Sequence, residues 1–417
     1  MNKTAWNQNG RIYYGWYILI LCFLYMALGY AGILSISSVF IVPVTSELGY
    51  SRSSFMLVST IMMLSSVVFA GIYGRWMEKG KIKQLLILNI IFVFLAYSVF
   101  ASATRLWQFY LCAILLGSGF SSLSTLPVSI LLNQWFGEKV KGTVMAIAFT
   151  GSGIGGLILT PLINSIIELH GWRQGYFTLG LFFLLVMLPF TMITALVSPE
   201  AKGFQIIGQS ESSPLAETRR SLTYQQAKRA PYFWIVLAAL FLMILGSGAL
   251  ISTSTAYFVE CGFSASTSAQ FSGYMLGMLA IGKLFCGFLC DRGGVKAGVV
   301  GCFGIYGLCF LLLFFLPNNP ILIFPIVITF GFGAGAVTIA PPLLVTNLFG
   351  EQDYGTILGS LTMSVNISVA VGSFLASTVY DFAHSYTPYW LFSTIGAIVA
   401  AFSIYAAFTI KNRMEQT

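Results

Sequence analysis

The chain has 417 residues, 57% of them hydrophobic and only 8% charged, with a mean hydropathy of +0.85. A water-soluble protein of that length carries about a quarter of its residues as charges, so this one is solvated mostly by lipid. Its net charge of +8 does not imply a nucleic-acid partner, because Lys and Arg gather on the cytoplasmic loops of membrane proteins.

At the start of the chain, Lys3 and Arg11 precede an apolar run that is too long for a signal-peptide core, so no cleavable leader is expected. A spanning helix needs about 20 apolar residues. Such runs fall near 13–42, 54–76, 84–104, 106–134, 141–168, 173–197, 231–259, 266–290, 295–316, 320–347, 355–380 and 387–410. The expected fold is therefore all-α, with twelve transmembrane helices and both ends on one side. The cations test that sidedness. Of 21 Lys and Arg, 17 fall on the side of the termini and 3 (Arg52, Arg105 and Arg173) on the other. Both termini are expected to be cytoplasmic in a multi-pass protein of the cell membrane.

The cation left over is Lys283, inside the eighth run, "GMLAIGKLFCGF". All acidic residues fall in loops, tails or helix ends, which leaves Lys283 as the one formally charged side chain expected within the membrane. A lysine near the bilayer centre costs roughly 2.5–3.5 kcal/mol on insertion scales. It can snorkel, since Asp291 is eight residues on, about 12 Å along a helix. It can also face a wet cavity. Gly273, Ala280 and Gly287 at helical spacing leave room beside it, and intramembrane charges default to functional sites. An ammonium in a low-dielectric cavity would pair naturally with a carboxylate drawn in from outside.

Two segments recur at an offset of 213 residues. "GRWMEKGKIK" (74–83) returns as "GFLCDRGGVK" (287–296), and "FGEKVKGT" (136–143) as "FGEQDYGT" (349–356). Glu168 and Asp381 match at the same shift, as do Tyr176 and Tyr389, whereas Lys283 falls on Ala70. The chain is expected to be a duplication, with six-helix halves at 1–197 and 231–417. The polar, Ser-rich stretch 198–230 reads as a cytoplasmic linker holding a short amphipathic helix around 222–230.

Other motifs exclude more than they assign. The seven Cys lie mostly in apolar runs without ligand spacing, and the two His, His170 and His384, are far apart, so no metal site, disulfide framework or cofactor is expected. "GSGIGG" (151–156) and "GFGAGA" (331–336) lie within spans, where they read as close packing or bending rather than nucleotide loops. No Walker A lysine motif appears, and nothing calls for an enzyme or an obligatory protein partner.

Two six-helix halves with both ends inside resemble the major facilitator superfamily, whose loop signature G-x-x-x-[D/E]-[R/K]-x-G is met by Gly74, Glu78 and Lys79, with Gly80 one place before the final glycine position, and again by Gly287, Asp291 and Arg292. The resemblance implies a conformational latch at these loops; the plain alternative is a solvated loop with cytoplasmic charge. "YYGWYIL" (13–19), "HGWRQGYF" (170–177), "SPEAKGF" (198–204) and "LTYQQAKRAPYFW" (222–234) are similar to the bacterial branch of the monocarboxylate transporter and oxalate:formate antiporter families. That branch carries a cation in helix 8 that pairs with the substrate carboxylate, and Lys283 holds the matching position. The usual residue there is Arg, so a fork is replaced by a point charge. The Asp of eukaryotic relatives falls on Leu279, their helix 1 Lys on Ser35, and the second cation of oxalate exchangers has no counterpart in "GTILGSLTMSVNISVAVGSF".

Helices 1, 4, 7, 10 and 11 of the superfamily add candidate substrate ligands: Tyr30, Ser35 and Ser38; Ser121, Ser122 and Thr125; Ser252, Ser254 and Tyr257; Thr338; and Asn366. Hydroxyls and amides orient small acids, but they also bond between membrane helices. The resemblance and Lys283 together imply a secondary transporter of a small organic anion, foremost a monocarboxylate, working by proton-linked transport or exchange. An efflux carrier for larger amphipathic compounds and a non-transporting sensor of the same fold are the alternatives.

Overall fold

Apolar segments of this length can enter lipid only if every backbone N–H and C=O is paired within the segment, which leaves the helix. The computed structural model describes residues 7–8, 11–50, 52–194, 199, 204, 206–207 and 221–416. Among them, ten helical stretches are long and apolar enough to cross a membrane. The two longest, Glu138–Ile193 and Gln270–Asn318, run for 56 and 49 residues, and each is broken at a left-handed glycine, Gly171 (φ 83°) and Gly294 (φ 81°). Divided there, the described residues form twelve spanning segments. They are α1 (Gly15–Ser35), α2 (Arg52–Trp76), α3 (Ile82–Ser102), α4 (Leu106–Trp135), α5 and α6 (138–170 and 172–193), α7 (Pro231–Glu260), α8 and α9 (265–293 and 295–318), α10 (Pro320–Phe349), α11 (Tyr354–Ala383) and α12 (Thr387–Gln416).

Several features were not legible beforehand. Asn7–Gln8 pairs antiparallel with Arg11–Ile12. The second half of α1, Tyr25–Ser35, is wound as a wider π-helix, and a further helix, Ser37–Leu48, continues beyond it. The short linker helix that the sequence does predict, around 222–230, is present as Tyr224–Arg229. Its N-terminus is closed by a capping box, in which Gln226 N–H donates to Thr223 Oγ1 and Thr223 N–H to Gln226 Oε1 at 3.0 Å.

The chain forms two compact units, Met1–Ser213 and Pro214–Thr417. Within each, the 213-residue shift reappears in the backbone. Gly49 (φ 70°) corresponds to Gly262 (φ 93°), and Gly171 to His384 (φ 53°), the latter a left-handed residue that is not glycine. Carboxylates repeat too. Glu47 accepts from Trp172 Nε1 at 2.7 Å and from the Arg173 guanidinium. Its counterpart Glu260 accepts from Ser385 Oγ at 2.5 Å and from Tyr386 N–H at 3.3 Å. In both units a carboxylate thus ties the first helix to the turn before the last.

The Arg173 hydrogen bond, and then that of Trp172, hold the Glu47 carboxyl below its ordinary value of 4.5. Because the folded value is the lower one, the stabilisation is complete above 4.5 and is lost as pH falls toward the folded value. Both partners are more than a third exposed, so the pair contributes about 1 kcal/mol or less. Glu47→Gln is expected to lower the thermal midpoint slightly at pH 7, with the gap to the native protein closing below pH 4.5. A gap that widens on acidification would contradict the assignment.

Most of the linker, 200–203, 205 and 208–220, lies outside the described residues. Its described ends meet the two copies of one loop. Gly137 N–H donates to Ile207 O at 2.8 Å, and Leu222 N–H donates to Phe349 O at 2.8 Å. Phe136–Gly137 and Phe349–Gly350 are the repeated Phe-Gly pair.

Candidate functional site

Lipid tails are as apolar as leucine, so membrane helices associate through close packing, and small residues let their backbones approach. The tightest such approach beside Lys283 joins α8 to α10. A Cβ built on Gly282 would collide with the carbonyl of Gly331, and one built on Gly335 would stand 2.6 Å from the backbone nitrogen of Lys283. Phe285 and Phe332 pack across the same contact with ring centroids 4.7 Å apart. The "GFGAGA" glycines of α10 therefore serve as a helix crossing, and that crossing fixes the backbone of Lys283.

The Lys283 side chain is 3% exposed. The exposed face of α8 carries Ile281, Leu284 and Phe288 instead, each between 43% and 52% exposed. Around Gly273 and Gly277 an added Cβ would meet open space, while Gly287 is buried. One turn beyond Gly335 on α10, the Thr338 hydroxyl is buried and has no hydrogen-bond partner among the described residues. A buried donor without a partner costs about 1–3 kcal/mol.

Asn366 is half-buried on α11 of the same unit. Tyr257 is fully buried and its hydroxyl donates to Leu313 O at 2.6 Å, with the ring against Trp390 at 5.4 Å. That hydroxyl is committed to the core between α7 and α9, so it does not present a free group to a solute. Tyr30 and Ser35 belong to the N-terminal unit, in the π-helical half of α1. Tyr30 is half-buried against Phe120, with centroids 5.4 Å apart, and Ser35 is exposed. Seen from the sequence, π-helical winding has no marker, yet it recurs at functional sites.

The repeated loops differ in detail. In the first, Gly74 is buried, Lys79 is exposed and Gly80 makes the turn with φ 76°, while the Glu78 side chain lies outside the described residues. In the second, Asp291 is half-buried and the Arg292 guanidinium lies 4.4 Å over the Phe288 ring. The left-handed residue there is Gly294, one position later than the shift from Gly80 predicts.

One lysine escaped the sequence reading. Lys141, counted there among the cytoplasmic cations, is 3% exposed and donates to Asn133 Oδ1 at 2.5 Å. The signal available was its place inside the repeated "FGEKVKGT", where the second copy carries Tyr354. Among the described residues no cluster of His, Cys, Asp and Glu could hold a metal ion.

A chain whose described residues form twelve spanning helices, with a backbone pattern repeating at 213 residues and a buried lysine in its second unit, is a polytopic membrane protein of the transporter type. The sequence model of the Major Facilitator Superfamily matches residues 18–280 and 264–415, and the chain belongs to that superfamily. Human monocarboxylate transporter 12 is 28% identical over 340 residues, covering 76% of this chain and 65% of the human protein. The oxalate:formate antiporter of Oxalobacter formigenes is 23% identical over 309 residues, covering 73% of this chain and 70% of that one. Among solved structures, the fucose:proton symporter of Escherichia coli superposes with a TM-score of 0.74 at 15% identity, over 95% of this chain and 99% of that chain.

Proposed function

We propose that the protein is a secondary transporter that moves a small organic anion, foremost a monocarboxylate, by alternating access, with Lys283 as the group that receives the carboxylate. The observation that carries this reading is the burial of an ammonium within an apolar span, away from the exposed apolar face of its own helix. A charge in that position is costly unless it has a use. A carboxylate offers it a charge-assisted bond in low dielectric, and the Thr338 hydroxyl, without a partner among the described residues, is proposed as a further donor to the solute. Asn366 joins the proposed ligand set in the same unit, and Tyr30 and Ser35 are proposed as substrate contacts of the N-terminal unit. The names of the relatives, a monocarboxylate transporter and an oxalate:formate antiporter, support an anionic substrate.

The reading includes six-helix halves at 1–197 and 231–417 joined by 198–230, cytoplasmic termini on the strength of the cation bias, and the two Gly-Asp/Glu-cation loops as the latch between transport states. Counterflow in proteoliposomes tests it. Vesicles preloaded with an unlabelled acid should accumulate the labelled acid transiently and saturably. Flux of bulky amphipathic compounds without carboxylate exchange would favour an efflux carrier, and binding without flux a sensor.

A further inference from the structure

A groove of about 370 Å³ runs between the start of α7 and α11 and has no place in the proposed transport site. Its two ends differ in chemistry. Lys228, Tyr224 and Ser360 gather at one end, where Ser360 Oγ and Tyr224 Oη lie 3.0 Å apart and the Lys228 ammonium stands 5.0 Å from the Tyr224 ring. The remainder is apolar, walled by Phe233, Leu237 and Phe241 on one side and Met363 and Ile367 on the other. Phe233 to Phe241 spans eight residues, about 12 Å of helix.

The rim has the chemistry of a membrane boundary. Trp234 is 54% exposed, and its indole N–H donates to Lys228 O at 3.0 Å, the posture of an aromatic ring with one wet and one greasy edge. Lys228 and Arg229 are both exposed, and among the described residues neither forms an ion pair. The Asp353 carboxylate accepts the Tyr224 N–H at 2.6 Å.

We propose that this groove binds an anionic phospholipid, with its phosphate against Lys228 and Arg229 and an acyl chain along Leu237, Phe241, Met363 and Ile367. The cations alone would attract any anion and the apolar walls any tail. Together they select an amphiphile with a negative head, which the surrounding bilayer supplies. A zwitterionic lipid brings its own cation to the same pair of charges and loses that advantage.

The test uses the full chain in detergent, titrated with phosphatidylglycerol or phosphatidylcholine of identical chains and read by native mass spectrometry. The native protein should retain one phosphatidylglycerol at least about tenfold more tightly than phosphatidylcholine, as two interfacial cations imply. Lys228→Gln with Arg229→Gln should erase that preference, and Ile367→Trp, which fills the apolar end, should weaken both lipids. Lys139→Gln, an exposed cation of the other unit, serves as control and should leave the preference intact. All variants should keep the native thermal midpoint without added lipid, since the altered side chains are exposed. Equal retention of the two lipids, a preference that survives the double substitution, or one lost equally in Lys139→Gln would overturn the proposal.

Discussion

Lys283→Ala is expected to abolish saturable carboxylate exchange while leaving the protein folded. Removing one partner of a buried, hydrogen-bonded charge pair costs about 2–5 kcal/mol, and each 1.4 kcal/mol is tenfold, so affinity should fall by about 30-fold or more. Thermal unfolding of the same variant reports the structural part of the side chain separately from its part in binding, and a ligand-binding role requires the loss of affinity to exceed any loss of stability. Lys283→Arg should keep part of the exchange, since charge persists. Its planar guanidinium differs in shape from the compact ammonium, so the retained part should be incomplete. Unchanged exchange in Lys283→Ala would end the assignment. The measurement is counterflow over a panel of labelled acids, with thermal unfolding of the same preparations.

Much of the architecture was written in patterns that act over short distances. Apolar runs near 20 residues located the spans, and paired motifs at a shift of 213 located the duplication. The backbone keeps the same shift at Gly49 and Gly262 and at Gly171 and His384. Lys283 was legible for a simple reason: formal charge is rare in an apolar run, so a single instance stands out. Its surroundings were not legible. Nothing in the linear order of "GFGAGA" says which neighbouring helix those glycines touch, and the crossing at Gly282, Gly331 and Gly335 is a tertiary fact. Tyr257 has surroundings that were equally hidden. A tyrosine in a span reads as a possible ligand, but its hydroxyl satisfies the Leu313 carbonyl. Lys141 was missed because a loop cation is assumed solvated, whereas Asn133 receives it in a buried position.

Gly335→Val is expected to be strongly damaging to the C-terminal unit, and to act through folding. Its first added carbon would press on the Gly282 carbonyl group and stand 2.6 Å from the Lys283 nitrogen. Those are backbone atoms of a spanning helix, so no side chain can swing aside and the two helices must part. Overpacking of this kind costs about 1–3 kcal/mol, and separation also forfeits the dispersion contacts that hold membrane helices together. The thermal midpoint in detergent should fall by several degrees, and carboxylate affinity should fall with it, because the crossing positions Lys283. Gly304→Ala supplies the contrast. It is an exposed glycine of α9 with open space where the carbon would go, and glycine-to-alanine changes at compatible helical sites stabilise by about 0.4–1 kcal/mol. If Gly335→Val unfolds at the native temperature and binds acids normally, the α8–α10 crossing does not hold the site. If Gly304→Ala is as damaging as Gly335→Val, glycine content rather than backbone contact governs this half.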